Sequence, residues 1–365
     1  MVLIVFPTSL LYSFIYNKFK GFAMFTINQH RRRFIKTLFV GFSCLSLPSI
    51  VFSQSTQSLI IRTGILNKIP QRILSAGFVS DLLLIALCPE KMVGIATELK
   101  TDSKKFLSEQ IQNLPHIGRI AGRASTAPVE KIVNLNADLI VDAGNVSETF
   151  LSSAKKISKQ TQLPYFIVSG KLTDSAQQFT QLGELLQQPT RAKALADLSD
   201  EILTKTYQLC ATDNLNVYLA RGADGLETAL KGAIHTEVLD WLGLQNVANG
   251  AGEKKLARVS MEQLLQWQPD LILTQDTNFY QHSQQHALWQ NLTAVKNQRV
   301  FLAPSLPFNW LDSPPGVNRL LGCVWLAYKL KPTVLSQQNA YDLVQRYFRL
   351  FYGYEISSNN TSPHF

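Results

Sequence analysis

Cysteine is scarce in this chain, with 4 in 365 residues and no C-x-x-C pair. That spacing excludes a thiolate zinc knuckle or a dithiol redox motif. Histidine is nearly as rare, at 6 residues, and no H-E-x-x-H, G-x-S-x-G or Walker A pattern occurs. The motif-bearing zinc peptidases, α/β-hydrolases and P-loop NTPases are therefore excluded. No His-rich loop or mixed Asp/Glu/His constellation offers a site for a bare metal ion. Acidic residues are missing altogether from residues 1–53, which carry six basic ones: Lys18, Lys20, Arg31, Arg32, Arg33 and Lys36. The rest of the chain has 29 basic against 26 acidic residues. The formal charge of +9 is thus concentrated at one end, and no basic stripe remains for a nucleic-acid backbone.

The basic end reads as an export signal. Arg31-Arg32-Arg33-Phe34-Ile35-Lys36 matches a twin-arginine pattern, an apolar run follows over 37–52, and Ser53 closes a plausible cleavage site before Gln54. The alternative is an uncleaved anchor, against which stand the shortness of the run and Pro48. The segment before Met24 is apolar and interrupted by Pro7, so translation is expected to start at Met24. Cys44 follows a poor lipobox. After cleavage Cys88, Cys210 and Cys323 remain, an odd number in apolar helical contexts. They are expected as buried small hydrophobes rather than a disulfide framework.

What the chain has is a repeat. Residues 130–142 read E-K-I-V-N-L-N-A-D-L-I-V-D, and residues 262–274 read E-Q-L-L-Q-W-Q-P-D-L-I-L-T. Each copy has helical apolar spacing after its Glu, then a short apolar run suited to a buried parallel strand. Two copies, one per half, predict an α/β fold of two similar lobes with mostly parallel central sheets. A ligand cleft lies between lobes of this kind. The expected organisation is an N-terminal extension and signal (1–53), a first α/β lobe (57–172), a helical connector broken near Pro189 (173–212), a second lobe with terminal helices (213–352) and a tail (353–365). No Gly/Ser linker joins the halves, so a long connecting helix is expected to fix their geometry.

Several motifs resemble those of ABC-transporter solute-binding proteins for iron–siderophore, haem and vitamin B12, the TroA-like class with a helical backbone. They are Ser75-Ala76-Gly77 after a strand, Gly118-Arg119-Ile120-Ala121-Gly122 before the first Glu motif, Val247-Ala248-Asn249 and Val259-Ser260-Met261-Glu262-Gln263. The stretch from Pro307-Phe308-Asn309-Trp310-Leu311-Asp312 through Asn318-Arg319-Leu320 is similar to a signature of one iron-complex branch. The resemblance covers about residues 58–350. It implies a non-enzymatic periplasmic protein, acting as a monomer, that delivers a metal chelate to a permease dimer with separate ATPase subunits. It implies no cofactor, the metal being cargo; iron–siderophore is expected first, then haem or cobalamin, with molybdate or a nickel chelate as further alternatives. It also implies that Glu130 and Glu262 dock the permease, where the plainer role is complementing a helix dipole.

Ligands of open α/β lobes gather at the carboxyl ends of strands. This rule selects Phe78, Asn145, Arg221, Tyr280, Phe308 and Trp310, with Arg123 as a second guanidinium. Arg221 and Arg123 offer planar forks of donors to an anion. Phe308, Trp310 and Tyr280 are candidate stacking surfaces, against ordinary core packing. His282 and His286 share one helical face and are the candidate for a directly bound metal, but glutamines surround them and a solvated face is the plainer expectation. His235 at a helix start is a weaker single candidate. A secreted enzyme on the same scaffold is the alternative from another class.

Overall fold

The computed structural model describes residues 58–120, 125–144, 146–252 and 255–356. The export signal, Met24, Arg123, Asn145 and the last residues of the tail lie outside the described residues.

The first lobe is built on a five-stranded sheet in the order β1-β5-β4-β2-β3. Its strands are β1 (Ile60–Thr63), β2 (Ile73–Ser75), β3 (Met92–Gly94), β4 (Leu139–Gly144) and β5 (Tyr165–Ser169). Only the edge strand β1 runs antiparallel, against β5. β4 reads Leu-Ile-Val-Asp-Ala-Gly and is buried along nearly its whole length, as a parallel strand covered on both faces must be. The second lobe holds β6 (Asn216–Ala220), β8 (Gln245–Asn246), β10 (Leu271–Thr274) and β11 (Val300–Leu302), all parallel, in the order β11-β10-β6-β8. A separate antiparallel ribbon pairs β7 (Glu227–Ala229) with β9 (Leu256–Arg258). The two expected α/β lobes with mostly parallel sheets are present.

The repeat explains the matching centres of the two sheets. Helix Val129–Asn134 leads into β4, and helix Met261–Trp267 leads into β10. Each helix is left through a residue in the left-handed region, Asn136 (φ 47°) and Gln268 (φ 43°). The shared Asp then clamps the start of the neighbouring strand. Asp138 donates its amide to Arg72 O at 2.7 Å and accepts the amides of Gln71 and Arg72 at 3.0 and 3.1 Å. Asp270 does the same with Asn216, at 2.8 and 2.9 Å. The clamps set equivalent registers, Ile73 beside Leu139 and Val217 beside Leu271.

Between the lobes the chain forms two helices rather than one, α1 (Ser175–Leu186) and α2 (Pro189–Thr206). Gln187 turns the chain in the left-handed region and Pro189 opens α2 at its first position, where its missing N–H costs nothing. The two helices pack so closely that a Cβ on Gly183 would sit 2.2 Å from the Cβ of Ala192.

Among the described residues, three apolar clusters form the core. One fills the outer face of the first sheet around Ile140 and Ile167, and one that of the second sheet around Ile272 and Trp289. The third is continuous across both lobes, from Leu82–Leu87 through Phe179 and Leu195 to Val217, Leu219, Trp310 and Phe351. The terminal helix Gln337–Tyr347 and the π-helical turn Phe348–Tyr352 that continues it cross back to the first lobe, where Phe106 meets Phe348 and Tyr354 edge-on at 5.7 and 4.9 Å. The segment assigned to the second lobe thus packs on the first as well. Cys88, Cys210 and Cys323 are free and buried, as their apolar contexts predict.

Candidate functional site

Charged and polar side chains gather at the carboxyl ends of the parallel strands in both sheets. In the second lobe, Arg221 follows the last residue of β6 and Gln275 follows the last residue of β10. The proline-rich loop after β11 brings Asp312 beneath them, with its side chain 0% exposed. Arg221 forms an ion pair with Asp312 Oδ2, and His235 Nδ1 lies 3.1 Å from the same oxygen. Neither contact has the geometry of a directed hydrogen bond. Gln275 fixes the carboxylate from the other side. Its Nε2 donates to Asp312 Oδ1, and its Oε1 accepts the Asp312 amide at 3.0 Å. The side chains of Arg221 and His235 are 22% and 20% exposed, so they present their outer edges to solvent above a buried anion. Burial, then the charges of Arg221 and Arg319, lower the pKa of His235 to about 4. The imidazole is therefore neutral at pH 7, with one N–H donor and one acceptor.

In the first lobe, β2 ends at Ser75, and Ala76-Gly77 lead into helix Phe78–Leu87. Phe78 is 41% exposed, and the Arg119 guanidinium lies over its ring at 5.5 Å, a cation–π arrangement. Arg119 is held by its backbone: its carbonyl accepts the amides of Thr126 and Ala127 at 2.9 and 3.0 Å, and its amide donates to Thr126 Oγ1. Gly118 precedes it at φ +81°, a conformation side chains rarely adopt. Behind this wall lies Asp142 on β4, buried, receiving the Tyr165 hydroxyl at 2.5 Å. Burial raises its pKa to about 6, against the opposing pull of Tyr165, the Ala143 amide and Arg119.

Of the residues selected from sequence, Phe78 and Arg221 lie at the carboxyl edges with exposed surface. Tyr280 is half-buried and lines a groove of about 500 Å³ with Gln275, Pro304 and Lys329. Phe308 and Trp310 correct the expectation of ligand-stacking rings. They are 6% and 4% exposed and belong to the core shared by the lobes. Trp310 Nε1 donates to Leu306 O at 2.9 Å, and its ring meets Phe348 at 6.2 Å. The C-terminal crossing covers them, and that packing is remote in sequence. The rings of His282 and His286 lie 4.6 Å apart, tilted by 39°, but His282 is exposed and the His286 Nδ1 accepts the Leu288 amide. Among the described residues no group of three or more His, Cys, Asp or Glu is placed to hold a metal ion.

Glu130 and Glu262 are exposed in the first turns of their helices. A helix that runs back to feed a parallel strand starts at the carboxyl edge of the sheet, so each Glu marks the cleft end of its lobe. Hydrogen bonds from the Glu262 amide and Ser260 hold the Glu262 carboxyl below its ordinary pKa. Sequence reasoning passed over Asp312, Gln275, Arg119, Asp142 and Arg319. Asp312 and Arg319 lie inside the motif that carries the resemblance, and His235 was weighed only as a metal ligand.

A family model described as periplasmic binding protein matches residues 90–306. The chain is 30% identical over 175 residues to the molybdate-binding protein MolA of Haemophilus influenzae, a match covering 47% of this chain and 45% of that protein. That relative is thus matched over less than half its length. Over 242 residues the chain is 25% identical to the Fe(3+)-citrate-binding protein YfmC of Bacillus subtilis, covering 64% of this chain and 72% of that one. An ABC transporter solute binding protein from Sulfurospirillum deleyianum superposes with a TM-score of 0.75 at 27% identity, covering 82% of this chain and 95% of that chain. With more than half of its length under the family model and two α/β lobes joined through helices, the chain belongs to the periplasmic binding protein family.

Proposed function

We propose that this protein is an exported solute-binding protein that captures a small, anionic, oxygen-rich metal species and delivers it to an ABC importer. Arg221 carries this reading: it is half-buried just after β6, paired with a buried carboxylate, and keeps part of its side chain exposed beside a neutral His235. A guanidinium held in this way pre-orders donors for carboxylate, catecholate or oxometallate oxygens. Phe78 and Arg119 supply a wall of opposite texture in the first lobe. With Phe308 and Trp310 in the core, few ring faces remain for a large macrocycle, which favours a compact ferric chelate or an oxyanion over haem or cobalamin. The two curated relatives, named for molybdate and ferric citrate, bind ligands of this class.

Delivery rests on Glu130 and Glu262, one exposed carboxylate per lobe at the cleft end, offered to basic pockets of a permease dimer whose ATPase subunits are separate chains. The twin-arginine segment is the proposed route to the periplasm.

The test is calorimetry of the mature protein against ferric citrate, molybdate, a ferric catecholate siderophore, haem and cobalamin. The expected result is binding confined to the first three, weakened by Arg221→Ala by about 2 kcal/mol, roughly thirtyfold, as for a buried Arg anchor. Binding of haem or cobalamin alone, or full affinity in Arg221→Ala, overturns the reading.

A further inference from the structure

Arg319 opens helix Arg319–Leu330 and is only 2% exposed. Its guanidinium reaches four oxygens. Nε donates to Gly316 O at 2.9 Å, and Nη1 donates to Ile234 O at 3.0 Å and to Glu237 Oε2 at 2.6 Å. These three belong to the second lobe. Nη2 donates to Gly170 O, at the end of β5 in the first. Glu237 Oε2 also accepts the amide of Leu172 at 2.6 Å. One ion pair therefore crosses between the lobes twice, at the segment that leads into α1.

The first-lobe side of this contact is stiff. The Gly170 amide donates to Gly144 O at 3.1 Å. A Cβ on Gly170 would lie 2.8 Å from the Gly144 Cα, so the ends of β4 and β5 are pressed together there. On the second-lobe side, two of the acceptors, Ile234 and Glu237, bracket a short segment that includes His235, which faces Asp312. The shared apolar core could hold the lobes together without a charge. An apolar pair of similar volume would commonly be about as stable as a buried ion pair. What the guanidinium adds is direction, since four acceptors in fixed places admit one relative placement of the lobes.

We propose that Arg319 and Glu237 form an interlobe rivet at the root of the connector, which fixes the angle between the lobes and thereby the placement of His235 opposite the first-lobe wall. Arg319 is a positioning residue in this scheme. The proposal concerns the ligand-free protein and stands apart from the identity of the ligand.

Spin labels at Lys155→Cys and Lys296→Cys, both exposed and one in each lobe, report the interlobe distance by pulsed electron resonance. Hydrogen exchange across 170–172 reports the rivet itself. Wild type should give one narrow distance distribution and slow exchange at Leu172. Glu237→Gln keeps an acceptor but removes the charge, and should speed that exchange about tenfold and broaden the distribution. Arg319→Met with Glu237→Gln, which leaves no unpaired charge, should broaden it further. If the double variant does not fold, Glu237→Gln alone decides. Unchanged exchange and width in Glu237→Gln overturn the proposal whatever happens to the melting temperature, since a pair serving stability alone would shift only the latter.

Discussion

His235 gives the site a pH signature whose sign follows from its surroundings. Its folded pKa is lowered from 6.5 to about 4, so between those values the unfolded chain binds more protons. The His235 contribution is complete above about pH 6.5 and is lost progressively as pH falls toward 4. Asp142 acts oppositely. Its pKa is raised from 3.8 to about 6, so its folded form holds more protons and gains stability as pH falls through that window. The two partly cancel in the wild type, and the comparison that isolates His235 is with His235→Gln. That variant should show a flatter fall, or a rise, in melting temperature as pH drops from about 6.5 to 4. Superimposable profiles would mean that His235 does not titrate in the folded protein as its burial beside Asp312 requires. At Trp310 the same scale gives a structural outcome. Trp310→Ala should cost about 3–5 kcal/mol of stability, read by denaturant unfolding, rather than selectively weaken ligand binding. The error in expecting a stacking ring there is instructive: an aromatic beside Asp and Pro reads as a loop residue, and its cover comes from Phe348. Arg319 was illegible for the same reason, because its acceptors at Ile234 and Gly170 lie 85 and 149 residues away.

Elements were far more legible than partners. The repeat at 130–142 and 262–274 located the central strand of each sheet, because a buried parallel strand must be apolar on both faces and its feeding helix must show one apolar stripe. The Glu and the Asp of the repeat, equally visible in the sequence, have different work. Asp138 and Asp270 clamp strand starts through backbone amides. Glu130 and Glu262 make no such bond to a neighbouring strand and stand exposed. Paired substitutions should separate the two. Asp138→Ala/Asp270→Ala should lower stability by about 1 kcal/mol or more per site and leave the affinity of folded protein unchanged. Glu130→Ala/Glu262→Ala should leave affinity and melting temperature near wild type and impair uptake, with charge reversal to Lys worse than Ala. Wild-type uptake by the Glu double variant, at matched periplasmic levels, would leave these carboxylates only the helix-dipole role. The connector was readable as helical and broken at Pro189. That its halves fold back on each other was not, since the contact is made by Gly183 against Ala192 and small residues leave no periodic signal.

For the whole molecule the question is how far the lobes can move. A hinge needs a place where few contacts cross, and three features close that route here. The helices α1 and α2 replace flexible strands between the lobes. The largest apolar cluster runs through both lobes without interruption, with Phe179 and Phe351 edge-on at 5.5 Å. The terminal turn returns to the first lobe, so the polypeptide crosses between the lobes at both ends of the second. Opening by a wide angle would expose part of that cluster, at about 25 cal/mol for each Å² of apolar surface. A few hundred Å² would already match the whole stability of many domains. On the function proposed above, ligand capture would then proceed by small rotations and by side chains such as Arg221 and Phe78, not by a large closure. Small-angle scattering of the mature protein with and without saturating ferric citrate or molybdate should show a change in radius of gyration of no more than about 0.5 Å, well below that of strand-hinged binding proteins. A larger contraction would mean that the shared core divides on closing, and the lobes would then have to be treated as separate bodies.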